Sequence, residues 1–246
     1  MRSERRPIGR LYGIGAGPGD PELLTLRAWR ILQQVSVICV PKRGEKDASY
    51  AFSIVSQVVD PGRQEVVELL FPMSRDPARL LEARESALAR VLARLDQGRD
   101  VAFVTEGDPF LYSTFISIFS ALRERRPDIP IEVIPGVSSV TAAAAAAGLP
   151  LADGDDLVAV VPATSDIGRL RESLKHFQTV VFIKASRNTD RVIDLLEELG
   201  FAEAVGVTRC TRPDQEIVGD VRGLRGKKLD YFSIILAKKQ AKQEAS

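Results

Sequence analysis

The chain has 246 residues, of which 45% are hydrophobic and 27% are charged, so it can bury a substantial core. Its net charge of +1 gives no support to a surface that binds nucleic acid or another polyanion. The two cysteines, Cys39 and Cys210, lie far apart in the sequence, which argues against a disulfide scaffold and against a zinc site.

Both ends of the chain are polar and are expected to be flexible tails, residues 1–8 and 239–246. The basic N-terminus lacks the apolar segment of a signal peptide, and no apolar run reaches the length of a transmembrane helix. Together with the sparse cysteines, these features favour a reducing, cytoplasmic setting and no association with a membrane.

The first predicted unit is a strand, a glycine-rich loop, a helix and a second strand. Gly9 to Ile14 form the first strand, and the loop Gly13-Ile-Gly-Ala-Gly-Pro-Gly-Asp20 overlaps its end. Asp20 is expected to cap the following helix, with Pro21 in its first turn. Val35 to Val40 then form a second buried strand.

A dinucleotide site is one interpretation of this loop, and the surrounding residues disfavour it. Pro18 occupies the last glycine position of the G-x-G-x-x-G pattern when it is counted from Gly13. The second strand leads into Pro41-Lys42-Arg43 and not into an acidic residue, and Asp20 places a negative charge where a pyrophosphate would lie. An uncharged or zwitterionic ligand fits the loop better.

Strands and helices continue to alternate through the middle of the N-terminal half. A helix is predicted from Ser49 to Val59 and a third strand from Glu65 to Leu70. Asp76 and Pro77 are a good cap and first-turn pair for a helix that runs to Gly98. Its apolar face is expected to consist of Leu81, Leu88, Val91, Leu92 and Leu95.

The stretch around which the chain is organised follows this helix. Val101 to Val104 is predicted as a buried parallel strand that Gly107 helps to end, and Ser113 should cap the next helix. Glu106 and Asp108 therefore lie in a tight loop at the carboxyl end of a strand, where open α/β sheets bind small ligands. An ordinary strand-to-helix turn is the alternative.

A strand at Ile131 to Ile134 leads into a hinge candidate, Pro135-Gly-Val-Ser-Ser139. Ser138 or Ser139 can cap a helix whose core is Ala142 to Ala147. Six consecutive alanines would let another backbone, or a ligand, come close, although high helix propensity alone also explains them.

After Pro150 the alternation of strands and helices restarts, so the chain reads as two α/β halves joined near residue 135. The only histidine, His176, is expected at the surface. The predicted elements are strands at 157–161, 179–184, 204–208, 216–220 and 231–237, and helices at 167–177 and 189–199, the second capped by Asn188 and closed by Gly200.

Three motifs stand in order along the chain: the glycine loop 13–20, Thr105-Glu-Gly-Asp-Pro-Phe110 and Ile134-Pro-Gly-Val-Ser-Ser139. A buried strand that ends in Phe182-Ile-Lys184 follows them. The ordered set resembles the tetrapyrrole methylase family, whose members use S-adenosyl-L-methionine, over residues 9–238.

The resemblance implies two α/β domains of the class III methyltransferase type, at 9–134 and 135–238, usually in a homodimer. It also implies that S-adenosyl-L-methionine lies in the cleft between the domains. The residues that match the family's cofactor contacts are Pro18, Glu106, Gly107, Asp108, Leu111, Ser138, Ser139, Lys184 and Cys210.

Further stretches are similar to the branch of the family that methylates C-20 of precorrin-2, or of cobalt-factor II, in cobalamin biosynthesis. They are Val40–Lys42 with Ser49–Ala51, Leu70–Asp76, Asp108–Phe115 and Arg209–Glu216. The metal-free and the cobalt-containing substrate both remain open. The alternatives are another ring position, a non-tetrapyrrole acceptor, and a regulatory protein that binds the cofactor without catalysis.

The sequence departs from the family's uroporphyrinogen methyltransferases at three positions. Glu106 replaces a glycine, Lys184 replaces a methionine, and Pro41 replaces a candidate acidic base. The last change removes that subfamily's proposed base. A proton must move after methyl transfer, and Glu106, Asp47 and Asp76 are the candidate bases, of which Glu106 is the catalytic candidate.

The tetrapyrrole that the resemblance implies carries many carboxylates at its rim. Lys42, Arg43 and Arg75 follow strand ends and are candidates to bind them, with plain solvent exposure as the alternative. No set of metal ligands is visible in the sequence, so any metal would arrive inside the substrate.

Overall fold

The structure, a computed structural model, describes residues 8–74 and 76–240. The predicted tails, residues 1–8 and 239–246, fall almost entirely outside those ranges, and so does Arg75. The chain divides into two compact units, Met1–Ser138 and Ser139–Ser246. Each unit is built around a five-stranded sheet in the described part of the chain.

The sheet of the first unit is parallel throughout and has the strand order β3-β2-β4-β1-β5. Helices connect its strands, so the loops that follow the strand ends collect along one edge. The strands are β1 (Leu11–Gly15), β2 (Val37–Lys42), β3 (Glu65–Leu70), β4 (Val101–Thr105) and β5 (Ile131–Ile134), and the helices are α1 (Leu26–Gln34), α2 (Tyr50–Val55), α3 (Pro77–Leu95) and α4 (Phe115–Arg125).

Two apolar clusters cover the two faces of this sheet, and β4 contributes to both. Val101 and Phe103 pack into the cluster that contains α3 and α4, whereas Ala102 and Val104 pack into the cluster that contains α1 and α2. All five residues of β4 are buried. This is why the strand reads as an unbroken apolar run without alternation.

The second unit has a mixed sheet with the order β6-β7-β10-β8-β9. Only β6 and β7 pair in parallel, and the other three pairs are antiparallel. The strands are β6 (Val158–Pro162), β7 (Thr179–Ile183), β8 (Glu203–Thr208), β9 (Glu216–Val218) and β10 (Ser233–Lys238), and the helices are α5 (Ser139–Ala147), α6 (Ile167–Leu174) and α7 (Thr189–Glu198).

The predicted helix caps at Asp20 and Asn188 differ from the structure. Asp20 caps only a short 3-10 turn at Pro21–Leu23, because Leu24 is extended, and the hydroxyl of Thr25 caps α1 instead. Asn188 makes no cap with its side chain. Its side-chain nitrogen instead donates 2.7 Å to the carbonyl of Ala163, which ties Asn188 to the segment after β6.

The apolar face of α3 is also shorter than its sequence pattern suggests. Buried residues of the helix begin at Ala87, while Leu81 is 50% exposed. The helix ends at Leu95, before Gly98. Among the described residues, no helix combines the length and the apolar character that crossing a membrane would require.

Candidate functional site

Three glycines meet at the carboxyl edge of the first sheet. Gly15 ends β1, Gly107 follows β4 and Gly136 follows β5. A Cβ atom on Gly136 would lie 2.2 Å from the carbonyl oxygen of Gly107, and one on Gly15 would lie 2.6 Å from the same atom. Only glycine allows the three backbones to approach this closely, so a stretch of bare main chain lies at this edge.

Main-chain hydrogen bonds join the glycine loop to the loop after β4. Gly107 donates 2.7 Å to the carbonyl of Gly17, and Gly17 donates 3.3 Å in return. Both residues have positive φ, +80° for Gly17 and +64° for Gly107, which favours glycine at each position. Two motifs that are more than eighty residues apart in sequence are therefore joined by main-chain hydrogen bonds.

The carboxylate of Asp108 fastens the loop after β4 to the segment after β5. Its Oδ1 accepts from the amide of Phe110 at 2.8 Å, and its Oδ2 accepts from the amide of Gly136 at 3.1 Å. Both oxygens thus hold main chain in place. The structure gives Asp108 a positioning role beside the glycine contact, and direct contact with a cofactor stays a prediction.

The other residues predicted in these loops are also at this edge. Pro18 is buried, and its carbonyl accepts a hydrogen bond of 2.7 Å from the hydroxyl of Tyr50. Glu106 is half-buried between β4 and Gly107. Leu111 is exposed at the tip of the loop. The first unit therefore brings together four predicted cofactor residues, Pro18, Glu106, Gly107 and Asp108.

Ser113 does not cap α4 in the simple way that the sequence predicts. The helix begins at Phe115, and Thr114 at its N-cap makes no side-chain hydrogen bond to it. The hydroxyl of Ser113 instead accepts 3.1 Å from the amide of Phe115 and donates 2.9 Å to the hydroxyl of Thr105. It thereby links the start of α4 to the end of β4.

Ser138 and Ser139 lie at the division between the two units, and Ser139 is the first residue of α5. Helix α5 packs against β8 and β10, with Ala142, Ala143 and Ala144 buried. Their small side chains let the helix lie close to the sheet of the second unit.

Lys184 and Cys210 share one edge of the second sheet. Strands β7 and β8 both run antiparallel to β10, so they are parallel to each other and their carboxyl ends lie at the same edge. Lys184 follows β7 and has a φ of +57°. Arg209 and Thr211, on either side of Cys210, have φ values of +50° and +65°.

The left-handed backbone of these residues marks the candidate loops, and the sequence analysis does not predict it. The non-glycine residues with positive φ in the described part of the chain are Tyr112, Lys184, Arg209 and Thr211. All four lie in candidate loops after strand ends. Such a backbone costs about 1–2 kcal/mol per residue and is retained where surrounding contacts enforce it, often at functional sites.

The side chain of Arg209 supplies contacts that enforce this conformation. Its guanidinium lies 3.0 Å from Asp214, 2.8 Å from Glu216 and 3.5 Å from Asp230. The amide of Thr211 donates 2.7 Å to the side chain of Gln215. The loop that carries Cys210 is thus held by ion pairs that span β8, β9 and the segment before β10.

Both cysteine side chains are free thiols and are buried. Burial raises the pKa of Cys39 to about 12 and that of Cys210 to about 11. Both groups are therefore protonated thiols at neutral pH and are poor nucleophiles. Cys210 can supply a contact surface at its edge of the sheet, but not a thiolate.

The three cationic residues predicted to bind the substrate differ in what the structure shows of their surroundings. The ammonium of Lys42 donates 2.8 Å to the carboxylate of Glu68 and 2.9 Å to the carbonyl of Glu45, so its charge is already paired. Arg43 is half-buried in the polar loop after β2. Arg75 lies outside the described residues, so its role stays a prediction.

Two other predicted acids can be placed. The carboxylate of Asp76 accepts 3.0 Å from the amide of Ala78 and caps α3, which occupies it structurally. Asp47 is exposed in the loop after β2. In the described ranges, no group of three or more His, Cys, Asp or Glu side chains is arranged to hold a metal ion.

Comparison with known proteins agrees with this architecture. The family described as Tetrapyrrole (Corrin/Porphyrin) Methylases matches residues 10–224. A Methanocaldococcus jannaschii protein named "Probable cobalt-precorrin-2 C(20)-methyltransferase" is 34% identical, over 94% of this chain and 97% of its own length. The precorrin-2 C(20)-methyltransferase of a Sinorhizobium species is 30% identical, over 93% and 95%.

Among solved structures, the cobalt precorrin-4 methyltransferase CbiF superimposes with a TM-score of 0.72 at 28% identity, over 93% of this chain and 94% of its own. The predicted α/β fold of the methylase type is therefore confirmed.

Proposed function

Because the chain belongs to the tetrapyrrole (corrin/porphyrin) methylase family, we propose that it methylates C-20 of precorrin-2, or of its cobalt complex, in cobalamin biosynthesis. One observation carries the proposal: relatives named for this reaction match the chain almost end to end, over 93–94% of its length and 95–97% of theirs. The methyl donor in this proposal is S-adenosyl-L-methionine.

The glycine contact of the first unit joins the loops that carry the predicted cofactor residues. A Cβ atom on Gly15 or Gly136 would clash with neighbouring main chain, so these glycines let the loops after β1, β4 and β5 pack against one another. We propose that Pro18, Gly107 and Asp108 hold the cofactor at this edge. The predicted contacts from the second unit, Lys184 and Cys210, stay part of the proposal.

Bound S-adenosyl-L-methionine supplies an electrophilic methyl group on a sulfonium. The work of the protein is to align the acceptor carbon with this methyl and to exclude water, and alignment alone can be worth ~7–11 kcal/mol. Carbon C-20 bridges two rings of an electron-rich reduced macrocycle and is nucleophilic, so no strong base has to act before the attack.

A proton must leave the macrocycle once the new carbon–carbon bond has formed. The carboxylate of Glu106 is the proposed acceptor, because it is half-buried beside the glycine contact. Asp76 is a weaker candidate, since the same carboxylate caps α3. A carboxylate at position 106 would also favour a cationic ligand nearby.

The proposal extends to a cytoplasmic homodimer that uses no nucleic acid and no metal of its own. Its buried, protonated thiols suit a reducing compartment. Light scattering during gel filtration would test the assembly. A dimer has a mass of about 54 kDa, twice the 26.9 kDa of the chain, and elution at the mass of the chain would refute that part.

The activity is tested by anaerobic incubation with S-adenosyl-L-methionine and either precorrin-2 or its cobalt complex, followed by mass spectrometry. Gain of one methyl on the metal-free compound alone would assign the metal-free substrate. Gain on the cobalt complex alone would assign the cobalt-containing substrate. If neither compound gains a methyl while the cofactor still binds, the proposed acceptor is wrong and methylation of another ring position becomes the next candidate.

A further inference from the structure

Tyr50 connects the start of α2 to the glycine loop. It is the first residue of the helix, and its hydroxyl donates 2.7 Å to the carbonyl of Pro18, which lies 32 residues earlier. Tyr50 is half-buried and Pro18 is buried, so water competes little for this bond.

The start of α2 is itself fixed to the sheet. The hydroxyl of Ser49 donates 2.7 Å to the carbonyl of Pro41 in β2 and accepts 3.3 Å from the amide of Phe52. Ser49 is only 3% exposed. Tyr50 therefore extends from an anchored point and connects the end of β2 to the glycine loop.

The hydrogen bond to the Pro18 carbonyl fixes the orientation of a whole peptide group. Because proline has no N–H, its carbonyl is its only main-chain hydrogen-bonding group. The peptide that joins Pro18 to Gly19 is planar, so fixing the carbonyl also fixes the direction of the Gly19 N–H, which points the opposite way. On the other side of Pro18, Gly17 is held by its two hydrogen bonds with Gly107.

We infer that Tyr50 is a positioning residue for the cofactor site, which it serves by holding the Pro18 carbonyl and so the orientation of the glycine loop. The inference rests on the proposed function, because it takes the loop to be part of the cofactor site. It gives a role to the stretch Ser49-Tyr-Ala51, which contains none of the predicted cofactor contacts. Tyr50 acts on the ligand only through the loop.

The test compares Tyr50→Phe with Tyr12→Phe as a matched control. Each change removes one hydroxyl from a half-buried tyrosine of the first unit. The hydroxyl of Tyr12, in β1, makes no hydrogen bond within the ranges that the structure describes. Calorimetric titration with S-adenosyl-L-homocysteine measures cofactor affinity, and a thermal melt without ligand measures stability.

Tyr50→Phe should raise the Kd for S-adenosyl-L-homocysteine about tenfold, which corresponds to the loss of one buried hydrogen bond, and Tyr12→Phe should leave it unchanged. In turnover assays the KM for S-adenosyl-L-methionine should rise and the KM for the tetrapyrrole should not. Tyr50→His, whose ring N–H can donate in place of the hydroxyl, should recover part of the affinity.

The outcomes separate this inference from the proposed function. A wild-type protein that does not bind S-adenosyl-L-homocysteine would overturn the proposed function and the inference together. Wild-type binding with an unchanged Kd in Tyr50→Phe would overturn the inference alone. A melt shifted equally by both variants, with unchanged affinity, would show that Tyr50 contributes only to stability.

Discussion

Replacing Gly136 with alanine should disrupt the glycine contact, because the main chain of Gly107 and Gly15 leaves no room for a Cβ atom there. The new Cβ would lie 2.2 Å from the carbonyl oxygen of Gly107 and 2.7 Å from the Cα of Gly15. Cβ atoms essentially never approach other atoms within 3.0 Å, so main chain must move by at least 0.8 Å, the difference between 3.0 and 2.2 Å. No side chain can rotate away, because both neighbours are backbone atoms.

This displacement has two measurable costs. Forced overpacking typically lowers the free energy of unfolding by ~1–3 kcal/mol, and urea titration would report that loss. A shift of about 1 Å in the loops that hold a reactant can reduce catalysis ~100-fold, and kcat/KM for S-adenosyl-L-methionine would report this loss. We expect both changes in Gly136→Ala.

Gly219→Ala is the matched control, because a Cβ atom at Gly219 would meet nothing within 4 Å. It should leave both the free energy of unfolding and kcat/KM close to the wild-type values. If Gly136→Ala behaves like this control, the close approach of the three backbones is not needed for folding or for binding, and the description of the site is wrong.

The carboxylates and thiols give three further tests. Asp108→Ala should keep the protein folded and raise the Kd for S-adenosyl-L-homocysteine about tenfold, because the Gly136 amide loses its acceptor, and an unchanged Kd in calorimetry would contradict the placement of the cofactor loop. Hydrogen bonds from two arginines lower the pKa of Glu65 below its ordinary 4.5, so the stability that it provides is present above that value and is lost as the pH falls through the lowered pKa. Urea titrations across pH should therefore show a flatter acid dependence for Glu65→Gln and no change for the exposed control Glu82→Gln. Because burial raises the pKa of both thiols, Cys39 and Cys210 should react slowly with a disulfide reagent in the native protein and fully after denaturation, and fast native labelling of either would contradict their burial.

Elements bounded by strong local signals could be predicted from the sequence. Strands β3 and β5 begin and end where the apolar pattern places them, because Gly, Pro or polar residues flank each run. Helix α3 begins at its Asp76-Pro77 pair, since the carboxylate and the fixed φ of proline act within one turn.

Features that depend on distant residues could not be predicted. Periodicity gives the apolar face of α3, but not that packing begins only at Ala87 and leaves Leu81 exposed. A β-branched residue such as Thr211 disfavours positive φ, so no local pattern indicates its left-handed backbone. The ion pairs of Arg209 and the bond from Tyr50 to Pro18 both join separate elements.

The candidate site also has features that could be predicted from the sequence and features that could not. The motifs identified the loops, because glycine and proline mark strand ends wherever they occur. They did not reveal that both oxygens of Asp108 are engaged by backbone amides, or that Lys42 is paired with Glu68. Those facts depend on which loops the topology brings together at one edge of the sheet.

The most direct test of the central claim is to follow a labelled methyl group into the product. The protein would be incubated anaerobically with S-adenosyl-L-methionine carrying a ¹³C-methyl and with precorrin-2 or its cobalt complex, and the product examined by NMR. The proposed function predicts a single labelled methyl bonded to C-20. A label at any other ring carbon, or none transferred while the cofactor binds, would contradict it.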